Sequence, residues 1–94
     1  MFATVRRYDD VENPPEILRV ATEIFVPVVR LHEGFVSYDW IDAGDGVVMT
    51  ISVFESEAEA KASDIEAADL GAQYLSDLVH KKPQITEGIV RLHR

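Results

Sequence analysis

Two runs of β-branched and aromatic residues constrain this chain more than anything else in it: Phe35-Val-Ser-Tyr-Asp-Trp-Ile41 and Val47-Val-Met-Thr-Ile-Ser-Val-Phe54, joined by Asp42-Ala-Gly-Asp-Gly46. Such residues fit a pleated, half-buried surface, and Asp45-Gly46 supplies the positive φ that a tight hairpin turn needs. Side chains alternate along a strand, so the register decides which of them share a face. A two-residue loop (Asp45, Gly46) or a four-residue loop (Ala43 to Gly46) sets Val36, Tyr38 and Trp40 beside Val47, Met49, Ile51 and Val53. The opposite face then carries Phe35, Ser37, Asp39 and Ile41 beside Val48, Thr50, Ser52 and Phe54. A three-residue or bulged loop would scramble the two sets.

The flanking segments complete an alternating order. Phe2-Ala-Thr-Val-Arg-Arg-Tyr8 has strand composition with both faces partly apolar, which marks an inner strand, and one of Arg6 and Arg7 must then sit near an edge or a partner. Asn13-Pro-Pro-Glu16 starts a helix, with an asparagine cap, proline at the first position and a glutamate placed to close a capping box. Ile17, Ala21, Ile24 and Val28 form its apolar stripe, and Pro27 predicts a kink or break followed by a short piece to about Leu31. Ser56-Glu-Ala-Glu59 caps a second helix, whose expected stripe is Ala58, Ala62, Ile65, Ala68, Ala72, Leu75 and Val79, with a possible bend at Gly71. His80-Lys-Lys-Pro83 ends it, and Ile85 to Leu92 is the last strand, in which Gly88 predicts a bulge or a close backbone approach.

The order β-α-β-β-α-β predicts an α+β, ferredoxin-like domain over residues 1–94: a four-stranded antiparallel sheet with both helices on one face. Both hairpin faces carry large apolar residues, so the face turned away from the helices needs a cover, and a symmetric homodimer through the sheet is the simplest one. A charge of −8, from 17 acidic and 9 basic residues, argues against nucleic acid and anionic membrane surfaces. Cysteine is absent, which removes disulfides and thiolate chemistry, and the expected location is cytoplasmic. His32, His80 and His93 lack second ligands at helical or strand spacing, so no metal site is expected, and Asp42 to Gly46 is a turn rather than a calcium loop.

Gly34-Phe-Val-Ser-Tyr38, the hairpin, and the strand that ends in Val53-Phe-Glu-Ser-Glu-Ala58 together resemble the dimeric α/β-barrel superfamily of antibiotic-biosynthesis-monooxygenase-like domains. The resemblance extends to the last strand and implies a dimeric α/β barrel. It implies either an accessory protein without chemistry or an enzyme, and for the enzymes a quinone-forming monooxygenation without a cofactor. It does not extend to the haem-degrading members: the first strand offers Thr4, Arg6 and Tyr8 in place of an asparagine, and the helix from Ser56 to Val79 has neither tryptophan nor histidine.

The mixed hairpin face is the candidate pocket. Ser37, Thr50 and Ser52 would orient a polar ligand group, while Phe25, Phe35, Phe54 and Tyr74 supply apolar walls. Asp39, Tyr38 or Tyr74 would act as acid or base. Cross-strand pairing of Ser37 with Ser52 and Asp39 with Thr50 explains the same residues without any ligand. The two functions to be weighed are a small homodimer that binds an apolar or aromatic molecule, and a cofactor-independent monooxygenase or isomerase acting on a hydroxylated aromatic.

Overall fold

The computed structural model describes residues 1–94. Strands β1 (Phe2–Tyr8), β2 (Phe35–Gly44), β3 (Val47–Phe54) and β4 (Gln84–Ile89) form one sheet in the order β2-β3-β1-β4, every neighbour antiparallel. Helices α1 (Pro14–Val20), α2 (Val26–Val29) and α3 (Glu57–Tyr74) join them in the expected α+β ferredoxin-like sequence. β1 is indeed an inner strand.

The caps behave as their residues dictate. Asn13, in the left-handed region, accepts from the Glu16 amide, but Glu16 does not close a box and turns to Arg19 instead. The Ser56 side chain accepts from the Glu59 amide and its hydroxyl donates to the Glu59 carboxylate at 2.9 Å. Between α1 and α2, Ala21–Phe25 is a π turn in which the Val26 amide reaches back five residues to Ala21. Pro27 accounts for it: without an N–H, and with a ring that crowds the carbonyl four residues back, it is accommodated by one wide turn rather than by a break.

The hairpin turns on Asp45 (φ 54°) and Gly46 (φ 76°), both left-handed as a two-residue turn requires. The register, however, shifts twice in β2, at Val36 and at Ala43. With Ala43 as an extra residue, Trp40 lies opposite Thr50 and Tyr38 opposite Ser52. This corrects the expected faces: Tyr38 and Trp40 join Thr50, Ser52, Val48 and Phe54 beneath the helices, and Ser37, Asp39 and Ile41 pass to the bare face with Met49, Ile51 and Val53. The second bulge keeps Phe35 with Phe54, whose rings meet edge to face at 5.9 Å.

The core is split. One cluster, Val11, Ile17, Val20, Phe25, Val48 and Leu75, fills one end of the helix-covered face; another, Phe2, Val29, Phe54 and Ala60, fills the other. Between them runs a belt of buried polar residues: Thr4, Thr50 and Ser52 on the sheet and Ser63 on α3. The stripe expected from Ala58 to Val79 holds at its far end, where Leu75 is buried and Val79 packs against the first cluster, and fails in the first half of α3. Ala60 and Ser63 are buried whereas Ile65 is 69% exposed, because a polar floor takes polar residues from the helix and ion pairs fix its rotation. α3 ends at Tyr74 rather than continuing to Val79, and passes through Gly71. β4 is shorter than expected, and Gly88 pairs with Ala3 without a bulge and without a close neighbour.

Candidate functional site

Thr50 and Ser52 of this belt lie on the floor of a cleft of about 730 Å³ between the sheet and α3, and Ser63 lines it from the helix. β1 contributes Arg6 and Tyr8, β2 Tyr38, and β3 Thr50 and Ser52; these residues lie on one face because they are register partners or two apart. The roof is α3, where Ala67, Ala68, Gly71 and Ala72 present so little side chain that the space beneath them stays open. Small residues here make room rather than close contact, unlike Ala60 one end further on, which is 1% exposed. Phe25 and Val29 close the side formed by the first helical layer, and the segment from Ser76 to Pro83 borders the mouth. A smaller apolar pocket of about 20 Å³ adjoins it and shares Tyr8, Phe25, Tyr38, Thr50, Leu75 and Val79.

Arg6 dominates the floor. Its Nη2 lies 2.6 Å from Asp64 Oδ1, and the two side chains are 12% and 20% exposed. Asp64 turns inward from α3 to this guanidinium. Lys61 pairs with Glu87, and Thr4 Oγ1 donates to the same carboxylate over a long 3.5 Å. The Lys61 ammonium holds the Glu87 carboxyl below its ordinary range. Both carboxylates of the cleft are thus engaged by cations.

Two phenols stand beside Arg6. Burial pushes Tyr38 up to about 12, with nearby Tyr8 adding to the shift while Arg6 and the Thr50 hydroxyl oppose it. Burial likewise raises Tyr8, against the pull of Arg6. Both are therefore neutral hydrogen-bond donors throughout the physiological range. The arrangement offers one cation and two neutral donors in a space with apolar ends, a setting that stabilises an oxyanion formed on an aromatic ring.

Of the residues singled out from the sequence, Phe25, Tyr38, Thr50 and Ser52 line this cleft. Ser37 and Asp39 do not, since the bulge at Ala43 carries them to the far side of the sheet, where Asp39 is exposed. Phe54 is fully buried in the second core cluster with Phe35 packed against it, and Tyr74 is 44% exposed at the end of α3. Arg6, Tyr8 and Asp64 were not recognised as site residues. The available signal was an arginine on an inner strand, which must find a partner; the sequence does not say which. No group of three or more histidine, aspartate or glutamate side chains converges anywhere in the structure.

No protein-family model and no curated sequence matches the chain. Solved structures do. The monooxygenase from ActVA-Orf6 of Streptomyces coelicolor, solved in complex with nanaomycin D, shares 24% identity over 99% of this chain and 89% of its own, with a TM-score of 0.78. SnoaB, a cofactor-independent oxygenase from Streptomyces nogalater, shares 16% over 98% and 94%, with a TM-score of 0.75. A candidate antibiotic biosynthesis monooxygenase from Nitrosomonas europaea shares 12% over 98% and 100%, with a TM-score of 0.78. In fold, this chain is therefore similar to the antibiotic biosynthesis monooxygenase structures.

Proposed function

We propose that the protein is a cofactor-independent monooxygenase that converts a hydroxylated aromatic molecule to a quinone in the cleft between sheet and α3. The observation that carries this reading is the guanidinium of Arg6, 12% exposed on the cleft floor beside the neutral phenols of Tyr38 and Tyr8. The cleft has the volume of a small-molecule site. Neighbours of the same fold are described as oxygenases, and one of them holds nanaomycin D.

Arg6 and a hydrogen bond from Tyr38 would lower the pKa of a substrate phenol, so that it ionises without a dedicated carboxylate base. The electron-rich ring carbon of the phenolate then bonds to dioxygen, and the resulting hydroperoxide loses water. One oxygen atom stays on the ring as a new carbonyl. The other leaves as water with the ring hydrogen and the phenolic proton, and the substrate itself supplies the electrons. Asp39, on the opposite face, has no part in this scheme, and neither has Tyr74.

Binding without chemistry is favoured by one observation: Asp64 and Glu87, the cleft carboxylates, are both tied up in ion pairs and leave no free base. Oxygen uptake and quinone absorbance with a panel of hydroxynaphthalenes and hydroxyanthracenes separate the two. The expected result is one quinone per dioxygen, with Arg6→Met slowing turnover about 100-fold or more, the effect of losing an oxyanion donor. Binding with no oxygen consumption across the panel leaves only the accessory role. Full turnover in Arg6→Met removes the assignment of the site.

We also propose that the bare sheet face is covered by a second copy. Val5, Ile41, Met49 and Ile51 form its centre, as register partners or diagonal neighbours, and Ile41 is 38% exposed in the single chain. Sedimentation equilibrium is expected to give a dimer for the wild type and a monomer for Ile51→Glu; a wild-type monomer of 10.5 kDa refutes the pairing.

A further inference from the structure

The smaller pocket beside the cleft is a gap in the core itself. Val11, Ile17, Phe25, Val48 and Leu75, five of the six buried residues of the first core cluster, line it, and about 20 Å³ between them stays unfilled. Close-packed interiors tend to collapse such gaps, because the lining atoms lose their contacts. Here the backbone works against collapse. Ala21 and Phe25, the first and last residues of the wide turn before Pro27, both line the gap, and at Ala21 its wall is a single methyl group. Ten of the eleven lining residues are hydrophobic, and the eleventh is Thr50, whose hydroxyl is engaged with the Tyr38 phenol. Such a wall favours an apolar guest over water, which needs about two to four polar partners, and the space suits one very small molecule.

Resting on the reading of the cleft as an oxygenase site, we propose that this core gap is the seat of the co-substrate dioxygen. Dioxygen is small, uncharged and apolar, so the transfer that buries hydrocarbon also draws it out of water into the gap. The gap and the cleft share a wall that includes Tyr8, Phe25 and Tyr38. Tyr38 is the phenol that holds the substrate oxygen in the scheme above, so a gas molecule kept here stands beside the ring that it must oxidise.

Xenon, an apolar gas that enters dry core cavities, is the probe. In methyl NMR spectra of the wild type under rising xenon pressure, the signals of Ile17, Ala21 and Val48 are expected to shift together and to saturate, while those of Val29 and Ala60 in the second cluster stay in place. Ala21→Val fills the space and is expected to abolish the shifts. In turnover of a hydroxynaphthalene, xenon is expected to compete with dioxygen and not with the naphthol. Ala21→Val is expected to raise KM for dioxygen about tenfold with kcat and KM for the naphthol unchanged, the low end of what one methylene excludes from an apolar pocket. Wild-type spectra without saturable xenon shifts overturn the proposal. Displacement of xenon by 2-naphthol also overturns it, because the gap then belongs to the aromatic substrate. Saturable shifts with no oxygen uptake on any phenol remove the oxygenase reading and the dioxygen assignment, and leave a gas-binding gap without chemistry.

Discussion

Breaking the Arg6–Asp64 pair tests the cleft floor at its centre. Losing one partner of a fully buried pair costs about 3–5 kcal/mol, and losing one of an exposed pair about 0–1 kcal/mol. The side chains here are 12% and 20% exposed, close to the buried limit, but they border an open cleft whose water solvates a stranded charge. Asp64→Asn is therefore expected to destabilise by about 2 kcal/mol, and in a domain of this size that lowers Tm by roughly 10 °C. Arg6→Met strands Asp64 instead and is expected to cost a similar amount, whereas Arg6→Met combined with Asp64→Asn leaves no charge stranded. The double variant should then lose far less than the sum, with a coupling of about 1.5 kcal/mol. Urea unfolding followed by far-UV circular dichroism reads all four proteins, provided the slope with denaturant is shared. A coupling below about 0.3 kcal/mol would mean that the two side chains act independently, and the floor described above would be wrong.

The two phenols give a pH signature. Tyr38 has an ordinary value of 10.0 that the fold raises to about 12, so the folded state favours its neutral form; that contribution is whole below pH 10 and disappears as pH rises through 12. Thermal melts should show a steep alkaline loss of stability in this window that Tyr38→Phe makes shallower; an unchanged profile refutes it. At Gly34 (φ 77°) an added methyl would run into the Glu59 carboxylate, so Gly34→Ala is expected to cost about 1–2 kcal/mol through left-handed strain and displacement of that side chain. Gly34→Ala combined with Glu59→Ala should recover the contact portion only, and full recovery by calorimetry would show that φ carries no penalty.

Element order was legible from the sequence because its signals are local: the Asn13 and Ser56 caps, Pro27, and Asp45-Gly46 each act within a few residues of themselves. The faces of the hairpin were not. A bulge at Ala43 depends on how β2 meets β3 across the sheet, and Ala43 itself carries no mark of it. The rotation of α3 was hidden for a related reason. Its alanines suggested an apolar seat, yet the helix sits over Thr4, Arg6 and Ser52, and it answers with Ser63 and Asp64. A polar floor assembled from three strands has no expression in any one window of the chain. Four cleft residues are nevertheless legible in the sequence, Tyr38, Thr50 and Ser52 because rings and small hydroxyls on strands must face something, and Phe25 because a large ring on the first helical layer must pack on the sheet.

The extra residue at Ala43 also sets how this protein can vary. Substitutions in β2 exchange one side chain at a time, but deletion of Ala43 would roll the stretch between the two irregularities over by half a turn. With both irregularities kept, Tyr38 would leave the large cleft and Trp40 the smaller apolar pocket beside it, while Asp39 would come opposite Thr50, in the row that ends on Arg6, and set a carboxylate where a phenol now stands. Length changes in this strand, rather than replacements, are where related chains would be expected to diverge in chemistry while keeping their shape.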